Sequence, residues 1–139
     1  MEYVWIEAIS TAWDTPAVGI QAPDFLNAAL LIDTSLDSPV ALKQTVIRPV
    51  EACLGRVRTP NKNASRSIDI DVIIFDGQVL ESQLWTEAFL AVPAAELVPN
   101  LFYPLTGETL TQIAQRLARC TRIEPRPEVL PGKWGDQQE

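Results

Sequence analysis

Arg66-Ser67-Ile68-Asp69-Ile70-Asp71-Val72-Ile73-Ile74-Phe75 decides how the chain is read. It is an apolar, β-branched run headed by a cation and interrupted at alternate positions by carboxylates, the composition of a β-strand. Successive strand side chains leave on opposite faces, so Asp69 and Asp71 project together, about 6–7 Å apart along the strand. Ile68, Ile70, Val72 and Ile74 point the other way, into apolar packing. Two like charges this close repel unless solvent or a divalent cation neutralises them. Hard oxygen ligands of this kind suit Mg²⁺ held jointly with substrate phosphates. The alternative is a strand end with two solvated acids in a capping or turn role.

Immediately upstream, Arg56 to Ser65 is polar and carries Pro60, Asn61 and Asn63, so it reads as a loop leading into the acidic strand. It places Arg56, Arg58, Lys62 and Arg66 beside the carboxylates. Before it, Asp37 or Ser38 followed by Pro39 is a helix start, a side-chain cap with proline at the first helical position. Leu42, Val46, Val50 and either Cys53 or Leu54 then share one face of an amphipathic helix ending at Gly55. Pro49 lies inside it and costs about 3 kcal/mol or a kink, so a bend is expected in the last turn.

Farther out, Tyr3 to Ile9 reads as a strand running into a loop punctuated by Pro16, Gly19 and Pro23. Phe25 to Thr34 is almost continuously apolar and fits a strand or a short buried helix, of which the strand is the reading adopted. Downstream, Asp76-Gly77 is a tight turn, and Gln78-Val79-Leu80 returns as a short strand. A short helix is expected to begin at Pro93 and run to Leu97. A second, from Thr109 to Leu117, buries Leu110, Ile113, Ala114 and Leu117. After Arg122 the prolines Pro125, Pro127 and Pro131 suggest an extended or mobile tail. One domain over residues 1–122 with a tail over 123–139 follows.

The chain has 139 residues, 47% hydrophobic and 21% charged, enough for one packed domain. Its longest apolar runs fall far short of the roughly 20 residues that span a bilayer. The opening Met1-Glu2 lacks the basic and apolar regions of a secretory leader, so a cytoplasmic protein is expected, without a membrane partner. Cys53 and Cys120 have no C-x-x-C spacing and there is no histidine, which argues against zinc. Both thiols are expected to be reduced and buried. A net charge of −7 argues against a nucleic-acid surface, and the arginine-rich loop is its one local reversal.

With loop and strand assembled, Glu51-Ala52-Cys53-Leu54-Gly55-Arg56-Val57-Arg58 and Arg66-Ser67-Ile68-Asp69-Ile70-Asp71 resemble the G-R-x-R and R-x-x-D-x-D elements of the 6-hydroxymethyl-7,8-dihydropterin pyrophosphokinases. Asp14 to Gly19 and Pro23 to Ala28 resemble that family's pterin loop and following strand. Phe89 to Pro93 and Glu96 to Pro99 resemble its C-terminal helical part, so the likeness covers residues 4–118. It implies an α+β, ferredoxin-like antiparallel sheet packed with helices. It also implies transfer of pyrophosphate from ATP to the hydroxymethyl group of the dihydropterin, leaving AMP, in folate biosynthesis. Asp69 and Asp71 would hold two Mg²⁺ ions bridging the triphosphate. Arg56, Arg58 and Arg66 would clamp phosphate oxygens, or pair instead with Glu51 or the aspartates. Thr15, Pro16 and Val18 would line the pterin pocket, Asn27 would read the pterin amide edge, and Phe25 and Phe89 would supply apolar faces, although either is also at home in a core. Glu51, counted with the nucleotide side, would orient a loop arginine or stand as a solvated helix end.

The sequence departs from the family in three places. No glycine-serine-asparagine strand and helix precede Tyr3, so either the true start lies upstream or this is a shortened relative whose sheet is re-paired or covered by a second copy. The interval from Phe75 to Phe89 is short and lacks a histidine, and Glu87 stands where an arginine aligns. The loop before Arg66 carries Asn63, Ala64 and Ser65 instead of a tryptophan and glycine-proline. Loss of one transition-state donor costs about 10²- to 10³-fold in rate. The alternative function is therefore a catalytically impaired relative acting as a nucleotide- and pterin-binding or assembly module. Oligomeric state is left open.

Overall fold

A computed structural model of the chain describes residues 3–15, 25–54 and 69–129. In chain order the strands are β1 (Val4–Ile9), β2 (Trp13–Thr15), β3 (Phe25–Asn27), β4 (Leu30–Thr34), β5 (Ile74–Phe75), β6 (Gln78–Val79) and β7 (Glu124–Pro125). The helices are α1 (Pro39–Leu42), α2 (Arg48–Cys53), α3 (Ala88–Leu97) and α4 (Leu110–Cys120). The class is α+β, with antiparallel pairing spread over three small sheets, β1-β4, β3-β2-β7 and β5-β6. Two compact units divide the chain: Met1–Trp5 with Thr34–Glu81, and Ile6–Asp33 with Ser82–Glu139.

The apolar run from Phe25 to Thr34 is two strands rather than one. Ser10 causes the break: its N–H donates to the Ala29 carbonyl at 2.9 Å, and its hydroxyl accepts the Ala29 N–H at 2.8 Å. With both polar groups of Ala29 taken by one buried serine, the chain changes partner there. β3 pairs with β2, and β4 with β1.

In the first unit the helix opens as the sequence implies. Ser38 caps it by accepting the Ala41 N–H at 3.1 Å, and Pro39 occupies the first turn. Pro49 is accommodated without ending it: Lys43–Ile47 winds as a π-turn between α1 and α2, and the Arg48 N–H reaches back to the Lys43 carbonyl. Such a turn spends an extra residue and rotates everything after it. The buried stripe accordingly runs Leu42, Val46, Ile47, Glu51, not through Val50, which is half-buried, or through Cys53 and Leu54, which are exposed. The expected burial of the cysteines fails for this reason at Cys53; Cys120 is also exposed, on the last turn of α4 beside Arg119, and both thiols are free.

The strand expected over 66–75 forms a regular ladder only at its end. Residues 66–68 lie outside the described residues. From Asp69 to Ile73 no ladder is made, although the Leu80 N–H donates to the Ile73 carbonyl at 2.7 Å. Ile74 and Phe75 pair with Val79 and Gln78 across a two-residue turn. Asp76 at φ 51° and Gly77 at φ 78° both take the left-handed backbone conformation, which lets a two-residue turn match the right-handed twist of its strands.

The second unit holds a helical core. α3 packs on α4 and on β2 and β3, burying Leu84, Ala88, Ala91, Ala94, Leu110, Ile113 and Ala114. α4 begins with a reciprocal capping box, Thr109 accepting from the Gln112 backbone and Gln112 from that of Thr109. Of its expected stripe, Leu117 is only half-buried. α3 begins at Ala88, five residues before the expected start, and carries Pro93 inside it. The ring is fully buried, and packing of an apolar helix on two sides offsets the lost hydrogen bond. Beyond Arg122, Glu124–Pro125 adds a strand to β2, and residues 127–129 turn, with the Val129 N–H donating to the Arg126 carbonyl at 3.0 Å. No helix among the described residues is long and apolar enough to cross a membrane.

Candidate functional site

The acidic segment belongs to the first unit. Asp69 and Asp71 are exposed, while Ile70 between them and Val72 after them are half-buried. The alternation expected of a strand thus survives in exposure without a ladder to enforce it. Glu51 supplies a constraint there: on α2, 9% exposed, it accepts the Ile70 backbone N–H on Oε2 at 2.9 Å. A carboxylate turned inward by the π-turn thereby holds the peptide between the two aspartates. The solvated helix end is excluded for Glu51. Among the described residues no group of three or more acidic or thiol side chains could cage a metal by itself. Two exposed carboxylates fit a cation that takes its remaining ligands from water and phosphate, which is the habit of Mg²⁺. Arg56, Arg58 and Arg66 lie outside the described residues.

The residues assigned to pterin belong to the second unit. Thr15 ends β2 and is 6% exposed. It stands opposite Phe25 in the ladder, and Asn27 stands opposite Trp13. The Asn27 Nδ2 donates diagonally to Thr15 Oγ1 at 2.8 Å. That bond fixes the amide and leaves its carbonyl and second N–H for a partner with a complementary edge. Phe25 is 57% exposed and Phe89 38%, so neither is a core residue. Phe89 lies on α3, which packs on β2 and β3, and the fold therefore gathers the elements bearing Thr15, Phe25, Asn27 and Phe89. Pro16 and Val18 lie outside the described residues. Glu87 is the N-cap residue of α3, where negative charge is favoured by the helix dipole; its charge suits the helix end where the family resemblance implies a cation.

Two supports of this region escape a reading of sequence alone. Glu96, the charged residue of an otherwise apolar α3, accepts the Thr11 N–H and hydroxyl on Oε1 at 3.0 and 2.9 Å, and the Trp13 indole N–H on Oε2 at 2.6 Å. Its isolation in such a helix is the signal that could have found it. Arg126 donates through Nε and Nη2 to Asp14 Oδ2 at 3.1 and 2.7 Å. The hydrogen bond to Asp14, then its charge, raise the guanidinium pKa further above its ordinary value. The flanking Pro125 and Pro127 favour extended backbone but name no partner.

Residues 1–99 match the family described as 7,8-dihydro-6-hydroxymethylpterin-pyrophosphokinase (HPPK). A 2-amino-4-hydroxy-6-hydroxymethyldihydropteridine pyrophosphokinase of Synechocystis sp. is 31% identical over 135 residues, covering 91% of this chain and 66% of that protein. The folic acid synthesis protein FOL1 of Dictyostelium discoideum is 31% identical over 111 residues, 74% of this chain and 16% of the relative. The folic acid synthesis protein fol1 of Schizosaccharomyces pombe is 28% identical over 126 residues, 84% of this chain and 17% of the relative. The chain thus spans less than two thirds of the curated relatives it matches. With the family match extending over most of the chain and through the acidic segment, the protein belongs to the HPPK family.

Proposed function

We propose that the protein transfers pyrophosphate from ATP to the hydroxyl of 6-hydroxymethyl-7,8-dihydropterin. In that step the hydroxyl oxygen bonds to the β-phosphorus, the bond from that phosphorus to the α-phosphate oxygen breaks, AMP leaves, and the hydroxyl proton is released. The observation that carries the reading, in a chain of this family, is the pair Asp69 and Asp71, both exposed, on a peptide whose Ile70 N–H is held by buried Glu51. These two carboxylates would hold Mg²⁺, two ions by family resemblance. Bound there, the metal supplies positive charge to the phosphate oxygens of the reacting nucleotide.

Arg56, Arg58 and Arg66 bind phosphate oxygens and oppose the charge that develops on the leaving AMP. Asn27, braced by Thr15, orients the pterin through its amide, with Thr15, Pro16 and Val18 along the pocket and Phe25 and Phe89 as apolar faces. Glu51 serves the nucleotide side by fixing the acidic segment.

The test is release of AMP from ATP in the presence of the dihydropterin. Turnover is expected with the parent chain and is expected to fall by at least about 10²-fold in Asp69→Asn. AMP release equal in the two would contradict the reading. A second reading, a binding module without turnover, is favoured by Glu87 at the head of α3 and by a sequence without histidine. It predicts magnesium-dependent nucleotide binding with no AMP released.

A further inference from the structure

Strand β2 carries Thr15, and the structure restrains it from both edges. β3 lies on one side, pairing Trp13 with Asn27 and Thr15 with Phe25, and β7 lies on the other, pairing Trp13 with Pro125 and Asp14 with Glu124. β7 lies beyond residues 1–99, the part of the chain that matches the family. A two-residue strand is a weak tether by its ladder alone. What reinforces it is Arg126, the next residue: its N–H donates to the Ala12 carbonyl at 2.7 Å, and its guanidinium donates twice to Asp14 Oδ2, at 3.1 and 2.7 Å. Asp14 immediately precedes Thr15, whose hydroxyl braces the Asn27 amide at 2.8 Å. Main-chain and side-chain bonds from one residue thus grip the chain at Ala12, just before β2, and at Asp14 within it, one position short of the threonine.

We propose that Arg126 is a positioning residue for the pterin side of the site, holding β2 so that Thr15 meets Asn27 in the geometry that presents the asparagine amide to substrate. The proposal rests on the functional reading above. It assigns to a segment outside the family-matched stretch a role in substrate affinity, and none in nucleotide affinity.

The test is calorimetric titration of the full chain with 6-hydroxymethyl-7,8-dihydropterin and, separately, with magnesium and a nonhydrolysable ATP analogue. Arg126→Ala is expected to weaken pterin binding about three- to tenfold, a modest factor because the pair is partly exposed. Nucleotide affinity is expected to stay within experimental error. Arg126→Lys, which keeps the charge and one donor to Asp14, is expected to recover part of the loss. Amide exchange is expected to quicken in Arg126→Ala over β2 and β3 and not in α4. Unchanged pterin affinity in Arg126→Ala overturns the proposal and leaves the functional reading standing, as does an equal loss of pterin and nucleotide binding. A parent chain that binds nucleotide but no pterin overturns the pterin reading and this proposal together.

Discussion

Glu51 is followed in sequence by Ala52, Cys53 and Leu54, all exposed, yet is itself buried with its carboxylate on the Ile70 N–H. A hydrogen bond to a charged buried acceptor contributes about 1.5–3 kcal/mol, whereas replacement by a neutral acceptor retains part of it. Glu51→Ala is therefore expected to lower stability by about 2 kcal/mol in urea unfolding and to weaken magnesium-nucleotide binding, while Glu51→Gln loses about 1 kcal/mol or less. Equal stability of Glu51→Ala and the parent would remove the bond from the account. The exposure of Asp69 and Asp71 was legible in the sequence, since alternation of acid and β-branched residues needs no tertiary information. The burial of Glu51 was not, because which way a helix-end carboxylate turns depends on how the preceding turns are wound.

Among the elements, the best-read ones carry their own punctuation. Ser38-Pro39 opens α1, Thr109 opens α4, and Asp76-Gly77 turns β5 into β6. Elements misread were those settled by a distant partner. Pro49 announced a fault in the helix but not that a π-turn would absorb it, and Pro93 looked like a helix start because nothing local shows that its ring is buried in the middle of one. Ser10 divides β3 from β4 from outside the apolar run. The hairpin gives a clean test of local dictation. Gly77 has φ 78°, and a Cβ added there meets nothing within 4 Å. Gly77→Ala is thus expected to cost about 1 kcal/mol from backbone conformation alone, read as a lowered midpoint in thermal or urea unfolding. No shift would mean that the turn relaxes without penalty.

Across the whole molecule, each of the two units presents one kind of chemistry. In one, paired carboxylates are exposed on a peptide braced by Glu51; in the other, Asn27, Phe25 and Phe89 sit on elements gathered by α3, with Glu96 and Arg126 bracing β2. The α+β class and the acidic pair could be read from residue pattern and family resemblance. The partners of the braces could not: Glu96 stands out in an apolar helix, but nothing local names Thr11 and Trp13 as the donors to it or Asp14 as the partner of Arg126. The central claim is that Asp69 and Asp71 hold magnesium for a bound nucleotide. Its most direct measurement is calorimetric titration of the full chain with a nonhydrolysable ATP analogue, with and without Mg²⁺, repeated on the double variant Asp69→Asn, Asp71→Asn. Affinity is expected to require Mg²⁺ in the parent and to fall at least about tenfold in the variant; affinity indifferent to the metal, or equal in both proteins, would show that the two aspartates do not hold it.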